Sequence, residues 1–115
     1  MPRTLLTAAL AVASLCSVAE AADKGIRFWN LTSATVSKLQ MSPAGKDAWG
    51  PDQCRNDPDG AVDHDERLRI NGIGPGRYDV QVSYRDGRTC VVRNIEVKDN
   101  GVFSVQDRDL TDCSK

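Results

Sequence analysis

The sequence holds one histidine, no Cys-x-x-Cys spacing and, past its first residues, no long apolar run. Each gap closes off a class of function. With His64 alone, any His-pair metal site or Ser-His-Asp triad would have to be assembled around it, and a single histidine in a charged loop reads as a surface side chain. Without Cys-x-x-Cys, a thioredoxin-like dithiol or a zinc ribbon has no local support. Excess positive charge is missing too. The chain carries a formal charge of -1, and non-specific nucleic-acid binding rests on cationic excess, so nucleic acid is not an expected partner. No internal repeat, low-complexity tract or convincing helical periodicity occurs. Carboxylates are plentiful, yet nothing marks two of them as buried for glycoside hydrolysis, so a small hydrolase ranks only third among the functions considered.

What is present begins with an export signal. Met1 and Arg3 give a positive start, residues 5–15 an uncharged apolar core, and Ala19-Glu20-Ala21 the small residues a signal peptidase needs at minus three and minus one. The apolar core falls short of the ~20 residues that span a bilayer. A signal peptide over 1–21 and a single domain over 22–115 are therefore expected, in the periplasm or secreted, with no transmembrane segment. Arg3 stands alone, which removes support for a twin-arginine signal. Leu15 before Cys16 disfavours lipid attachment, which requires a small residue there. Loss of Arg3 and Glu20 leaves the balance at -1. Cys54, Cys90 and Cys113 remain, enough for one bridge and one leftover thiol. A bridge contributes about 2–4 kcal/mol to a domain this small.

The mature region reads as short strands divided by turn residues. From Arg77 to Arg85, Tyr78, Val80, Val82 and Tyr84 alternate with polar side chains, the signature of a half-buried strand. Asp86-Gly87 supplies a tight turn into Arg88–Val92, which predicts a β-hairpin. Asn100-Gly101 repeats that signal between Ile95–Val97 and Val102–Val105 and predicts a second hairpin, hence a three-strand meander. Val92 is out of phase with Ile95 and Val97, so a bulge is expected near Arg93-Asn94. Ile26–Asn30 and Val36–Met41 read as another strand pair joined through Leu31–Thr35. Arg67–Asn71 is a shorter strand with Leu68 and Ile70 inward, and Asp107–Leu110 a single helical turn. The fold class is all-β, a small antiparallel β-sandwich or partly open barrel of about six to seven strands.

One long irregular segment, 42–66, is the first place to look for chemistry, since long loops in small domains usually carry function or move. Counted from Arg55, its positions 3, 5, 6, 9 and 12 hold Asp57, Asp59, Gly60, Asp63 and Glu66, as an EF-hand loop would. Arg55 puts a cation where the first ligand belongs, Pro58 interrupts the loop and no helices flank it. A weak calcium site of another kind, from Asp57, Asp59, Asp63, Asp65 and Glu66, is the one cofactor expectation. Solvated acidic turns are the ordinary reading. Asn30-Leu31-Thr32 matches a glycosylation acceptor, a pattern common by chance.

Charge is uneven along the chain. Asp47 to Glu66 holds seven acids against Arg55, whereas Arg67 to Arg93 holds six arginines against Asp79 and Asp86. Arg67, Arg69, Arg77 and Arg85 fall on outward strand phases, predicting a basic sheet face beside an acidic loop that steers an anionic partner or is neutralised by that loop. Trp29 also falls outward relative to Ile26 and Phe28. Together with Trp49 of the long loop it is a candidate contact residue or an aromatic covered by that loop.

Asn30, Ser42-Pro43-Ala44-Gly45, Trp49-Gly50-Pro51-Asp52-Gln53, Gly74-Pro75-Gly76-Arg77-Tyr78-Asp79-Val80, Asp86-Gly87-Arg88-Thr89-Cys90-Val91-Val92-Arg93 and Asp107-Arg108-Asp109-Leu110 before Cys113 form a series of patches. Together they resemble a group of small exported bacterial proteins described only as hypothetical proteins with signal peptides. The resemblance implies an exported β domain and carries over no catalytic residue. This chain lacks cysteines expected near Pro75 and Val97 and has Cys54 where an apolar residue is expected. The resemblance thereby implies a Cys90–Cys113 bridge with Cys54 as the extra thiol. The leading expectation is a noncatalytic exported domain that binds a protein or envelope component through its arginine-bearing face and long loop. A calcium-responsive module built on the acidic loop is the alternative.

Overall fold

Along β4 (Gly76–Tyr84) the alternating pattern buries Val80, Val82 and Tyr84 on one side of the strand, and the rest of the fold is arranged about that apolar face. The computed structural model describes residues 24–115; the expected signal peptide, with Cys16, lies outside them. β2 (Val36–Pro43), β4, β5 (Thr89–Val97) and β7 (Thr111–Ser114) form a four-stranded sheet in the order β2-β4-β5-β7. β1 (Arg27–Leu31), β3 (Arg67–Arg69) and β6 (Val102–Gln106) form a three-stranded sheet in the order β3-β1-β6. The expected all-β, sandwich-like architecture is the observed one. Only the β1–β6 pair is parallel among the described strands. No helix among the described residues is long and apolar enough to cross a membrane.

The core lies between the sheets, with Phe28, Leu68, Phe103 and Val105 from one and Val36, Leu39, Met41, Val80, Val82 and Tyr84 from the other. Phe28 and Phe103, paired in register, pack at 5.6 Å between ring centroids with planes tilted by 46°, a favourable offset arrangement for two aromatic quadrupoles.

The Asp86-Gly87 hairpin is present. Tyr84 and Arg88 close it, Gly87 takes φ 93°, and the Asp86 carboxylate accepts the Arg88 N–H at 2.8 Å. The expected bulge is present as well. Tyr78 pairs with Ile95 and Val80 with Val92, so Asp79 alone faces Arg93 and Asn94, the latter at φ 60°. Asp107–Asp109 forms the expected helical turn, of 3-10 type.

Two expected strand pairs are not formed. β5 and β6 belong to different sheets, so Asn100-Gly101 carries the chain across the sandwich and there is no three-strand meander. Gly101 O accepts the Arg27 N–H at 2.9 Å and the Asn100 side chain the Gly25 N–H at 2.6 Å, which attaches this turn to β1. β1 and β2 are likewise split between sheets. Their connection is held by a buried polar knot instead of a hairpin ladder. Asn30 Nδ2 donates to Ala34 O at 3.0 Å and Val62 O at 2.9 Å, and Asn30 Oδ1 accepts from Thr32 N–H and Oγ1–H. Tyr84 Oη–H donates to Thr32 Oγ1 at 3.1 Å, and burial pushes the Tyr84 phenol above its ordinary pKa. Asn30 is 0% exposed, so the glycosylation motif is closed off in the folded domain.

Cys90 and Cys113 are bridged, as the resemblance implies, and Cys54 is a buried free thiol. Burial first, then the charge and hydrogen bonding of Asp52 and the charge of Asp57, push the Cys54 thiol up to about 12, so almost no nucleophilic thiolate exists near neutrality. A thiol-disulfide reagent at mildly alkaline pH is expected to leave native protein unmodified and to titrate Cys54 after denaturation. Rapid native labelling would contradict this.

Candidate binding face

Alternation along β1 turns Phe28 and Asn30 into the core and Arg27, Trp29 and Leu31 outward. On β3, Leu68 is buried while Arg67 and Arg69 are exposed. The antiparallel register sets Arg27 opposite Arg69 and Trp29 opposite Arg67. Ile70 N–H donates to Ile26 O and Asn30 N–H to Glu66 O, both at 2.9 Å. The hydrogen-bonded positions of this ladder are thus the inward-facing ones. The arginine and tryptophan positions are the non-hydrogen-bonded ones, where facing Cα atoms are about 4.5 Å apart and side chains are closest.

The Arg67 guanidinium carbon lies 4.1 Å from the centroid of the Trp29 ring. Trp29 Nε1–H donates to Asp65 Oδ1 at 3.0 Å and, more weakly, to Asp65 O at 3.3 Å. Asp65 reaches the indole because it occupies a left-handed backbone conformation, φ 72°, where both Asp65 and Glu66 bond to Asn30. On the other side of β1, Val102 lies beside Arg27 and Ser104 beside Trp29. Val102 is 42% exposed, the one large apolar side chain so exposed among the described residues.

One acid of the long loop, Asp65, reaches this face through the Trp29 indole, but it does not pair with the arginines. Every ion pair within 4.0 Å among the described residues involves Arg88 or Arg93; Arg27, Arg67 and Arg69 have none. Asp57 instead accepts the Asp59 N–H at 2.8 Å, Asp63 the Thr35 hydroxyl at 2.7 Å, and Glu66 the Asp63 N–H at 2.8 Å. Thus Asp57 and Glu66 brace the loop's own turns, while Asp63 and Asp65 tie it to the β1–β2 connection and to β1. No three His, Cys, Asp or Glu side chains gather among the described residues as a metal ion would need. His64 is exposed, and its Nδ1–H donates to Thr32 O at 2.9 Å, tying the loop to the β1–β2 connection.

The structure brings together Arg67, Arg69 and Trp29 and separates the other candidates from them. Arg77 lies on β4 and Arg85 just past its end, in the other sheet. Eight residues apart on an extended strand, these two are roughly 26 Å from each other. A single four-arginine face is therefore not formed, because outward phase fixes which side of a strand a residue takes but not which sheet holds the strand. Trp49 is half-buried in the turn after β2, where Gly50 N–H donates to Met41 O and the Gln40 amide to Gly50 O. Sequence reasoning missed Arg27, although it shares the outward phase of Trp29.

No cleft or enclosed cavity indents the described surface; the arginine–tryptophan cluster sits on an open sheet. Comparison of the chain with protein-family models, with curated proteins and with solved structures finds no match.

Proposed function

We propose that this is an exported, noncatalytic binding domain whose recognition surface is the outer face of the three-stranded sheet. Export is supported by the charged start, apolar core and Ala19-Glu20-Ala21 of the sequence, and by a disulfide of the kind that persists in the periplasm or outside the cell. One observation carries the binding reading: Arg27, Arg67 and Arg69 share one sheet face with Trp29, and none of the three has a carboxylate within 4.0 Å. Like charges facing each other across a ladder destabilise a sheet, so Arg27 opposite Arg69 is a liability for folding alone. Arg and Trp are also the side chains that dominate binding energy at protein surfaces. An open face suits a broad partner better than an engulfed small molecule.

The test is capture from envelope extract on immobilised domain. Arg67→Glu with Arg69→Glu is expected to abolish capture at low ionic strength, whereas Lys38→Glu with Lys46→Glu, on exposed positions of the other sheet and its loop, is expected to retain it. Melting curves for both variants check that folding is intact, and equal capture by the arginine variant would overturn the reading.

A further inference from the structure

Resting on that binding-face reading, we infer that the outer edge of β6 is a docking strand for an extended acidic segment of a partner protein, which adds to the three-stranded sheet beside the arginines. One bond fixes the phase of the β6 main chain. Gly101 O accepts the Arg27 N–H at 2.9 Å, and along a strand the main-chain N–H and C=O groups of successive residues alternate between its two edges. Gly101, Phe103 and Val105 therefore face β1, while Val102, Ser104 and Gln106 aim their main-chain groups out of the sheet. The Gln106 N–H, taken up by the Asp109 carboxylate at 2.8 Å, has that phase. Val102 and Ser104 meet no such partner among the described residues, so two N–H and two C=O groups stand open on the strand.

The other sheet edges among the described strands are closed. Val36 of β2 exchanges both main-chain bonds with Val62 at 2.9 Å, Leu39 N–H goes to Asp52 Oδ1 at 3.0 Å and Met41 O accepts the Gly50 N–H at 2.9 Å, so the long loop covers that edge. β3 has only three residues, two of them arginines. β7 is four residues long, irregular in register and turned by Asp112 at φ 48°. Shortness, charge, irregularity and cover are the devices that keep sheet edges from pairing. β6, Val-Phe-Ser-Val-Gln, has no charge, no proline and no break in register.

Charge selects the occupant. An added strand would lie about 10 Å from β1 and about 14 Å from β3, so Arg27, Arg67 and Arg69, none of them ion-paired, act on it as a field and not by contact. That field favours acids at the segment's outward positions, while its inward positions extend the apolar row of Phe103 and Val105. A second copy paired edge to edge brings only the same uncharged strand and a second set of arginines, which repel the first. Main-chain addition needs no cleft, in keeping with the open surface.

The experiment is amide hydrogen exchange by NMR on the protein with a Glu-Val-Glu-Val-Glu-Val-Glu peptide, its Lys-for-Glu analogue and the acidic peptide N-methylated at every amide. At saturation the acidic peptide is expected to slow exchange of the Val102 and Ser104 amides by at least about tenfold, and the other two peptides to leave it unchanged. Ser104→Pro, which removes an outward N–H and leaves the β1 ladder intact, is expected to abolish binding, and Arg27→Gln with Arg69→Gln to weaken it about threefold or more at low ionic strength. Melting curves check both variants, and the N-methylated peptide tests the same bonds should Ser104→Pro melt early. No protection by the acidic peptide, equal protection by the lysine analogue, or undiminished binding to a folded Ser104→Pro variant overturns the inference. Dimerisation without peptide that protects the same two amides assigns the edge to a second copy and overturns it as well. If the edge stays unprotected while envelope capture still depends on Arg67 and Arg69, the strand-addition inference is wrong and the binding face stands. Loss of that dependence together with an unprotected edge removes both.

Discussion

Removing the Cys90–Cys113 bridge is expected to lower the unfolding free energy by about 3.4 kcal/mol, the loop-closure value for the 23-residue separation. For a domain of this size that corresponds to a melting temperature roughly 14–27 °C lower. The constraint acts on the unfolded chain, and in the folded domain the same bridge holds a C-terminal strand that little else secures. All four residues of β7 are exposed, and its register with β5 is carried by Thr89–Ser114 and Val91–Thr111 alone. A Thr111 hydroxyl bond to Val91 O at 2.8 Å and an Arg93–Asp112 pair at 3.6 Å complete its attachment. The pair is solvent-exposed, so its contribution is small. Melting with and without a dithiol reductant, together with the Cys90→Ala/Cys113→Ala variant, measures the effect. A shift of only a degree or two would overturn the loop-closure estimate.

Legibility in the sequence followed the range of each signal. Asp86-Gly87, the bulge at Arg93-Asn94 and the turn at Asp107–Asp109 are set by residues adjacent to one another, and each is where the sequence places it. Asn100-Gly101 has the same turn chemistry, with Asn100 at φ 59°, yet it joins two sheets. A local turn reverses the chain; it does not choose the partner strand. That choice was made by β1, more than seventy residues earlier, which pairs with β6 along its whole length. Asn30 and Thr32 show the same limit from the other side. In the sequence they are a polar end to a strand, while in the fold their side chains supply the bonds that a hairpin ladder would otherwise supply.

The candidate face was half legible for the same reason. Outward phase correctly marked Trp29, Arg67 and Arg69, and it also marked Arg77 and Arg85, because alternation reports a side of a strand and nothing about neighbouring strands. The register that sets Arg27 against Arg69 is a long-range fact. So is the Asp65 carboxylate at the N–H edge of the Trp29 indole, which turns one acid of an apparent calcium loop into a fixing point for the ring.

Asp79 is the side chain the alternating pattern misplaced most, and its replacement is the second large effect expected. It shares the outward phase of Arg77 and Gln81, yet it is 1% exposed. The bulge turns the Asn94 N–H onto Asp79 Oδ1 at 2.9 Å, and the turn after β2 brings the Gly45 N–H to Oδ2 at 2.9 Å. Arg93 Nη1 closes on Oδ2 at 3.2 Å and extends to Asp47 at 3.5 Å. One carboxylate thus ties β4 to the bulge of β5 and to the loop after β2. Asp79→Ala leaves two amide donors without acceptors at about 1–3 kcal/mol each, for an expected loss of about 2–6 kcal/mol. Asp79→Asn keeps one acceptor oxygen and is expected to lose roughly half as much. The pH dependence separates this role from mere packing. Burial alone would raise the Asp79 carboxyl, but the Gly45 and Asn94 amides and Arg93 outweigh it and hold it below its ordinary 3.8. The folded protein therefore releases this proton at a lower pH than the unfolded chain does. The stability Asp79 contributes is complete above the unfolded value and is lost as pH falls through the folded one. Thermal melts from about pH 5 down to about pH 2 should show wild type losing stability more steeply than Asp79→Asn, the two curves converging in acid. Parallel curves would mean that the carboxylate's charge does not contribute and that Asp79 acts by shape alone.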